Sequence, residues 1–181
     1  MIGEETGGDF YAQPLIGYRT WRMDPDTLDL QGIIMPYRWP ADEDASAECR
    51  LKELLGNEKN PHVPAVVPVR DCNCGFYGYS SYPFLQSRAG WLGSPLRYVR
   101  GAVIGWGKAW THERGWRAKH ARPVALLHWS ERRDSLLRPF EDRDVDKALE
   151  WTGICAQIAE RYGIPVVLSQ EELEQAARDY V

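Results

Sequence analysis

The sequence predicts a single α+β domain: a bent antiparallel sheet within residues 16–129, flanked by helices near 45–55, 145–162 and 170–180. Three observations lead there. Large and polar residues alternate in short runs through the first two-thirds of the chain, with glycine and proline between them, which is the period of strands. After residue 144 the apolar spacing changes to that of a helix, so strands precede helices and do not alternate with them as βα units. The 181 residues, 44% hydrophobic and 27% charged, suit one well-packed domain and are short for two.

Residues 1–15, rich in Gly, Glu and Asp, are expected to be poorly ordered, leaving 16–181 as the domain. Ile16 to Met23 alternates as a strand, Asp24-Pro25-Asp26 is turn chemistry, and Leu28 to Met35 supplies the second arm of a hairpin. Asp42 or Asp44 can cap a helix from about Ala45 to Leu55, with Gly56 at its end and Cys49 within it. Asn60-Pro61-His62-Val63-Pro64 and Pro68 form a stiff loop with His62 in extended backbone. From Arg97 to Trp129 the pattern is strand-rich. Three glycines in 98–107 suggest bulges, Glu113 to Trp116 a turn, and Pro123 a break or edge.

The last third is the most regular. Asp144 can cap a helix from Val145 to Tyr162, on which Val145, Leu149, Thr152, Cys155, Ile158, Ala159 and Tyr162 share one face, and Gly163 ends it. Ile164 to Leu168 reads as a short buried strand. Ser169-Gln170-Glu171-Glu172 is a capping box that opens the final helix.

Three cysteines and a histidine fall within 26 residues in the pattern C-x12-H-x9-C-x-C: Cys49, His62, Cys72 and Cys74. Thiolate and imidazole are the ligands zinc prefers, and four of them close a tetrahedral shell of structural type. Gly75, directly after Cys74, lets the backbone turn tightly beside a metal. Zn2+ ranks ahead of an iron–sulfur cluster on the same thiolates. The competing readings are buried unpaired thiols and a disulfide, and one residue between Cys72 and Cys74 is fewer than zinc pairs usually have. Cys155 sits on the helical apolar stripe and reads as core, outside the ligand set.

The chain carries no long apolar run and opens on an acidic segment, which predicts a cytoplasmic protein with no membrane span and no signal peptide. Net charge is −4, yet residues 88–138 carry 11 basic and 3 acidic side chains. That block is either an anion-binding surface for nucleic acid or, the reading favoured here, the complement of acidic elements in the same fold.

Gly17-Tyr18-Arg19-x-Trp21, Cys72-x-Cys74-Gly75-Phe76-Tyr77, Gly105-Trp106-Gly107-Lys108 and His112-x-x-Gly115-x-Arg117-Ala118 together resemble a group of uncharacterised proteins from actinobacteria and their phages, over residues 16–168. The resemblance implies a small cytosolic accessory protein, encoded by a phage in some cases, and brings no activity with it.

No nucleophile elbow, P-loop, dinucleotide fingerprint or zinc-protease motif occurs. Adjacent His112 and Glu113 would point to opposite faces of a strand, so they make no direct acid–base pair. One enzymatic reading survives: the order of segments vaguely resembles ADP-ribosyltransferases, which implies an NAD-using site with Arg19, Tyr77 and Glu113 in the matching positions. The favoured expectation is a non-enzymatic accessory or regulatory protein with a protein partner. Its candidate contacts are Trp106, Trp110, Trp116 and Arg117, with Trp91 nearby, since tryptophan and arginine dominate interface hot spots.

Overall fold

The computed structural model describes residues 10–34, 37–49, 67–69, 72–88, 97–128 and 142–181. Seven strands are present among them: β1 (Phe10–Asp24), β2 (Asp29–Gln31), β3 (Ala45–Ser46), β4 (Phe76–Tyr79), β5 (Tyr98–His112), β6 (Gly115–Leu127) and β7 (Val166–Val167). Three helices join them: α1 (Tyr82–Arg88), α2 (Asp142–Tyr162) and α3 (Gln170–Tyr180). The α+β class is as the sequence predicts.

Long β5 lies between β1 and β6, antiparallel to both, while β4 bridges the far edges of the same two strands. Tyr18 opposite Tyr79 joins β1 to β4. Four strands thus close into a ring, β1-β5-β6-β4, and Trp116 of β6 fills it. A Cβ added at Gly17, Gly78 or Gly105, one glycine from each of the other three strands, would lie 2.3–2.8 Å from atoms of that indole. Its Nε1–H donates to the Ile16 carbonyl at 2.9 Å, so the polar atom of a buried ring is satisfied. The glycines are spaced by the size of an indole.

Both sheet faces are covered. Trp21, Met23, Val99, Val103 and Leu126 pack with Cys155, Ile158, Ala159 and Tyr162 of α2. Tyr18, Ala102, Ile104 and Leu127 pack with Tyr82 and Leu85 of α1 and Leu173 and Ala177 of α3. Tyr162 also ties α2 to the hairpin: its hydroxyl accepts from Leu30 N–H at 3.0 Å and donates to the Trp39 carbonyl at 2.6 Å.

Several expectations need correction. β1 starts at Phe10, because Phe10 to Ala12 pair with Gly107 to Ala109 of β5, so residues 10–15 belong to the sheet. The sheet is mixed: β7 joins β6 in parallel, and it is half-buried with Leu168 exposed. No helix begins at Ala45. Residues 45–46 pair with Ala121 and His120 of β6, and 47–49 are irregular, since strand pairing with an exposed backbone edge outcompetes local helix signals there. The remainder of the expected 45–55 helix lies outside the described residues. Pro123 does not break β6; it sits at a bulge, where Val103 faces Pro123 and Ala102 faces Ala125.

The helical end follows the sequence closely. Gly163, at φ 62°, closes α2 in a Schellman arrangement: Ile164 N–H donates to Ala159 and Gly163 N–H to Glu160. Leu149 lies off the predicted stripe and is exposed, while Ala148 takes the buried place. Ser169 caps α3 by accepting from Glu172 N–H, and the Glu172 carboxylate accepts from Leu168 N–H, one residue before the box would place it.

Candidate metal centre

Strand β6 assembles the site. Lys119 N–Hζ donates to the Ala47 carbonyl at 2.6 Å, and Ala47 N–H donates to the Lys119 carbonyl at 2.8 Å, which fixes the chain two residues before Cys49. Two positions back along the strand, on the same face, the buried Arg117 guanidinium donates to the carbonyls of Val69 and Cys72. Trp110 Nε1–H adds a bond to the Pro68 carbonyl at 3.3 Å. Cys72 N–H donates back to the Val69 carbonyl at 3.2 Å.

Gly75 then takes φ 109°, a conformation costly for any residue with a side chain. A Cβ there would also stand 3.1 Å from Pro68 Cβ and 3.3 Å from the Ala118 carbonyl. The glycine allows the chain to leave Cys74 and enter β4 at Phe76, opposite Ala118. Two segments far apart in sequence are thereby brought to one place.

The sulfurs of Cys49, Cys72 and Cys74 lie within 4.8 Å of one another, close enough to hold a metal ion. Cys49 and Cys72 Sγ are 3.7 Å apart, too far for a disulfide, and all four cysteines of the chain are thiols. Tetrahedral ligands at about 2.3 Å from a zinc ion would stand about 3.8 Å apart. Cys72 and Cys74 are buried and Cys49 is partly exposed. His62, the expected fourth ligand, lies outside the described residues. Cys155 is elsewhere, buried on α2, where desolvation pushes its thiol up to about 11.

Two of the expected partner contacts are structural. Trp116 is the plug of the ring and 3% exposed, because three facing glycines make room for it inside. Arg117, 5% exposed, is spent on the carbonyls of the cysteine turn. Trp106 and Trp110 are half-buried. Trp106 stacks on His120 with centroids 5.9 Å apart, and burial, with Lys119 adding to it, lowers the His120 pKa. Trp91 is outside the described residues.

Four cations of the basic block are engaged within the fold. Arg100 donates to the Tyr82 hydroxyl, Lys119 and Arg117 hold backbone carbonyls, and Arg122 pairs with Asp44 at 3.9 Å. Arg19 and Tyr77 do meet, but through the Tyr77 carbonyl, at 2.9 Å from the guanidinium, which also lies 5.1 Å from the Trp39 ring centroid. Burial pushes the Arg19 pKa down to about 10. Glu113 is exposed on the β5–β6 turn, beside Arg114, whose N–H donates to His112 Nδ1.

Sequence reasoning missed the roles of Lys119 and Arg117 at this site. The signal was present, since both stand along one strand among Gly115, Ala118 and Ala121, small residues that leave room for long side chains. No family model, curated protein or solved structure matches the chain.

Proposed function

We propose that this chain is a cytoplasmic accessory protein, without enzymatic activity, whose fold is stapled by a structural Zn2+ and which acts by binding a protein partner. One observation carries the metal part of the reading: three thiols from two distant segments converge within 4.8 Å, and the Cys49–Cys72 spacing of 3.7 Å is close to the edge of a zinc–thiolate tetrahedron. His62 is the fourth ligand in this reading, which closes the shell and leaves no position for substrate. A thiolate site of this kind persists in a reducing compartment. Trp106 and Trp110, both half-buried on β5, are the remaining aromatic contacts for a partner. Phage origin follows the sequence resemblance and nothing else.

Elemental analysis of protein purified without an immobilised-metal column tests the metal. About one zinc per chain is expected, and Cys72→Ser should reduce it at least tenfold while lowering the unfolding temperature, since binding free energy is folding free energy. Metal-free protein that folds and unfolds like the untreated chain would refute the staple.

A further inference from the structure

The cluster has an asymmetry that a purely structural site does not need. Cys72 and Cys74 are 6% and 9% exposed, while Cys49 is only partly buried. The partly exposed sulfur is also the one 3.7 Å from Cys72. A thiolate, not a thiol, is the nucleophile toward peroxides, and a bound divalent ion would hold its cysteine ligands in that form. The fourth cysteine supplies a contrast within the same chain. Cys155 is 5% exposed, and burial holds it protonated.

We propose that Cys49 is an oxidation site and that its reaction with hydrogen peroxide releases the metal by forming a Cys49–Cys72 disulfide. The inference rests on the metal reading above. The Cys49 thiolate attacks one peroxide oxygen, the O–O bond breaks, and a sulfenic acid forms as hydroxide leaves. The Cys72 thiolate then attacks the Cys49 sulfur, the S–S bond forms, and the S–O bond breaks to release a second hydroxide. Two thiolates give up one electron each, peroxide accepts both, and two protons from solvent turn the hydroxides into water.

The sulfurs need to approach by about 1.7 Å to reach a disulfide length of about 2.05 Å. The ion loses two ligands at once and leaves. Cys74 remains a thiol, so the product is reversible by a dithiol reductant with zinc present.

The test uses the full zinc-loaded chain, treated with a small excess of hydrogen peroxide. Zinc release is followed with a chromogenic chelator and the disulfide by non-reducing peptide mass mapping. One zinc should leave per Cys49–Cys72 disulfide, with a loss of two hydrogens per chain, and dithiothreitol plus zinc should restore both. Cys72 and Cys74 fall on one tryptic peptide, so fragmentation of the linked pair, and retention of the crosslink in Cys74→Ser, assign the partner. Cys155→Ser should behave as the parent.

Zinc retained under peroxide, a crosslink made through Cys74, or sulfinic acid without any crosslink would each overturn the proposal. The same oxidation on chelator-stripped chain separates the two readings. A chain that never held zinc but still forms the Cys49–Cys72 bond supports the oxidation site and removes the metal; zinc-loaded chain that forms no such bond does the reverse.

Discussion

Gly105→Ala should destabilise the protein through an indole on another strand. The added methyl would stand 2.3 and 2.4 Å from Trp116 Cζ3 and Cη2, and 3.0 Å from Ala118 Cβ. Carbon atoms in contact prefer about 3.5–4.0 Å, so the ring must move by more than about 1 Å. It has nowhere to go. Its other edge already occupies the space beside Gly17 and Gly78, where a Cβ would be 2.7 and 2.5 Å from it. Movement also stretches the 2.9 Å bond from Nε1 to the Ile16 carbonyl. Overpacking of this kind costs about 1–3 kcal/mol, and the hydrogen bond about 1 more. For a chain of this size each kcal/mol shifts the unfolding midpoint by about 2–4 °C, so a fall of roughly 5–15 °C is expected by circular dichroism. Trp116→Phe leaves a smaller ring and should relieve the clash. The double variant should therefore be more stable than the sum of the two single losses by about 1–2 kcal/mol. An unchanged midpoint for Gly105→Ala, or strict additivity in the cycle, would refute the ring-and-plug account.

Other perturbations follow from single contacts. Arg117→Met leaves the carbonyls of half-buried Val69 and buried Cys72 without a charged donor; a loss of about 3 kcal/mol in urea unfolding is expected, with zinc affinity at least tenfold weaker in a chelator competition. Tyr162→Phe keeps the ring but orphans Leu30 N–H and the Trp39 carbonyl, and should cost about 2–4 kcal/mol in the same assay; a neutral result would mean the helix is held by packing alone. Alkaline pH should destabilise the fold, because burial raises Cys155 from 9.0 to about 11 and Tyr162 from 10.0 to about 12. Both groups hold their protons more tightly when folded, so their contribution is intact below pH 9 and is lost as pH rises through 9–12. Cys155→Ala should flatten the lower part of that fall, and an unchanged slope would count against the burial of the thiol.

The helical third of the fold was legible because its determinants are local. Gly163 after an amphipathic run and Ser169 before an acidic turn act within a few residues, and both serve as caps. The strands were legible as strands, but not their partners. Nothing local says that Ala45 and Ser46 will meet β6 seventy-five residues later, so capping signals at Asp42 and Asp44 suggested a helix instead. Tryptophan exposure was illegible for the same reason. Whether Trp116 fills the core or faces a partner is undecided until the glycines of β1, β4 and β5 are known to face it. The cysteines were different: their chemistry is written in residue type, and three of the four expected ligands do converge.

The ring and the cysteine cluster are two consequences of one alternation. Along β6, Trp116 and Ala118 point into the ring, where both lie against the site of the missing Gly105 side chain. Arg117 and Lys119 point the other way and hold the segments that carry Cys72 and Cys49. Successive residues of a strand face opposite sides, so this division follows from register alone. A slip by one residue would drive a guanidinium into a space shaped for an indole and leave a tryptophan against the cysteine turn. Each side therefore enforces the register that the other requires. The plug selects one pairing of β6 with β4 and β5, and that pairing places two cations where the cysteine-bearing segments need donors. Were a divalent ion held by the three sulfurs, the donors that fix the cluster's backbone would also be positive charges at the segments that carry its thiolate ligands.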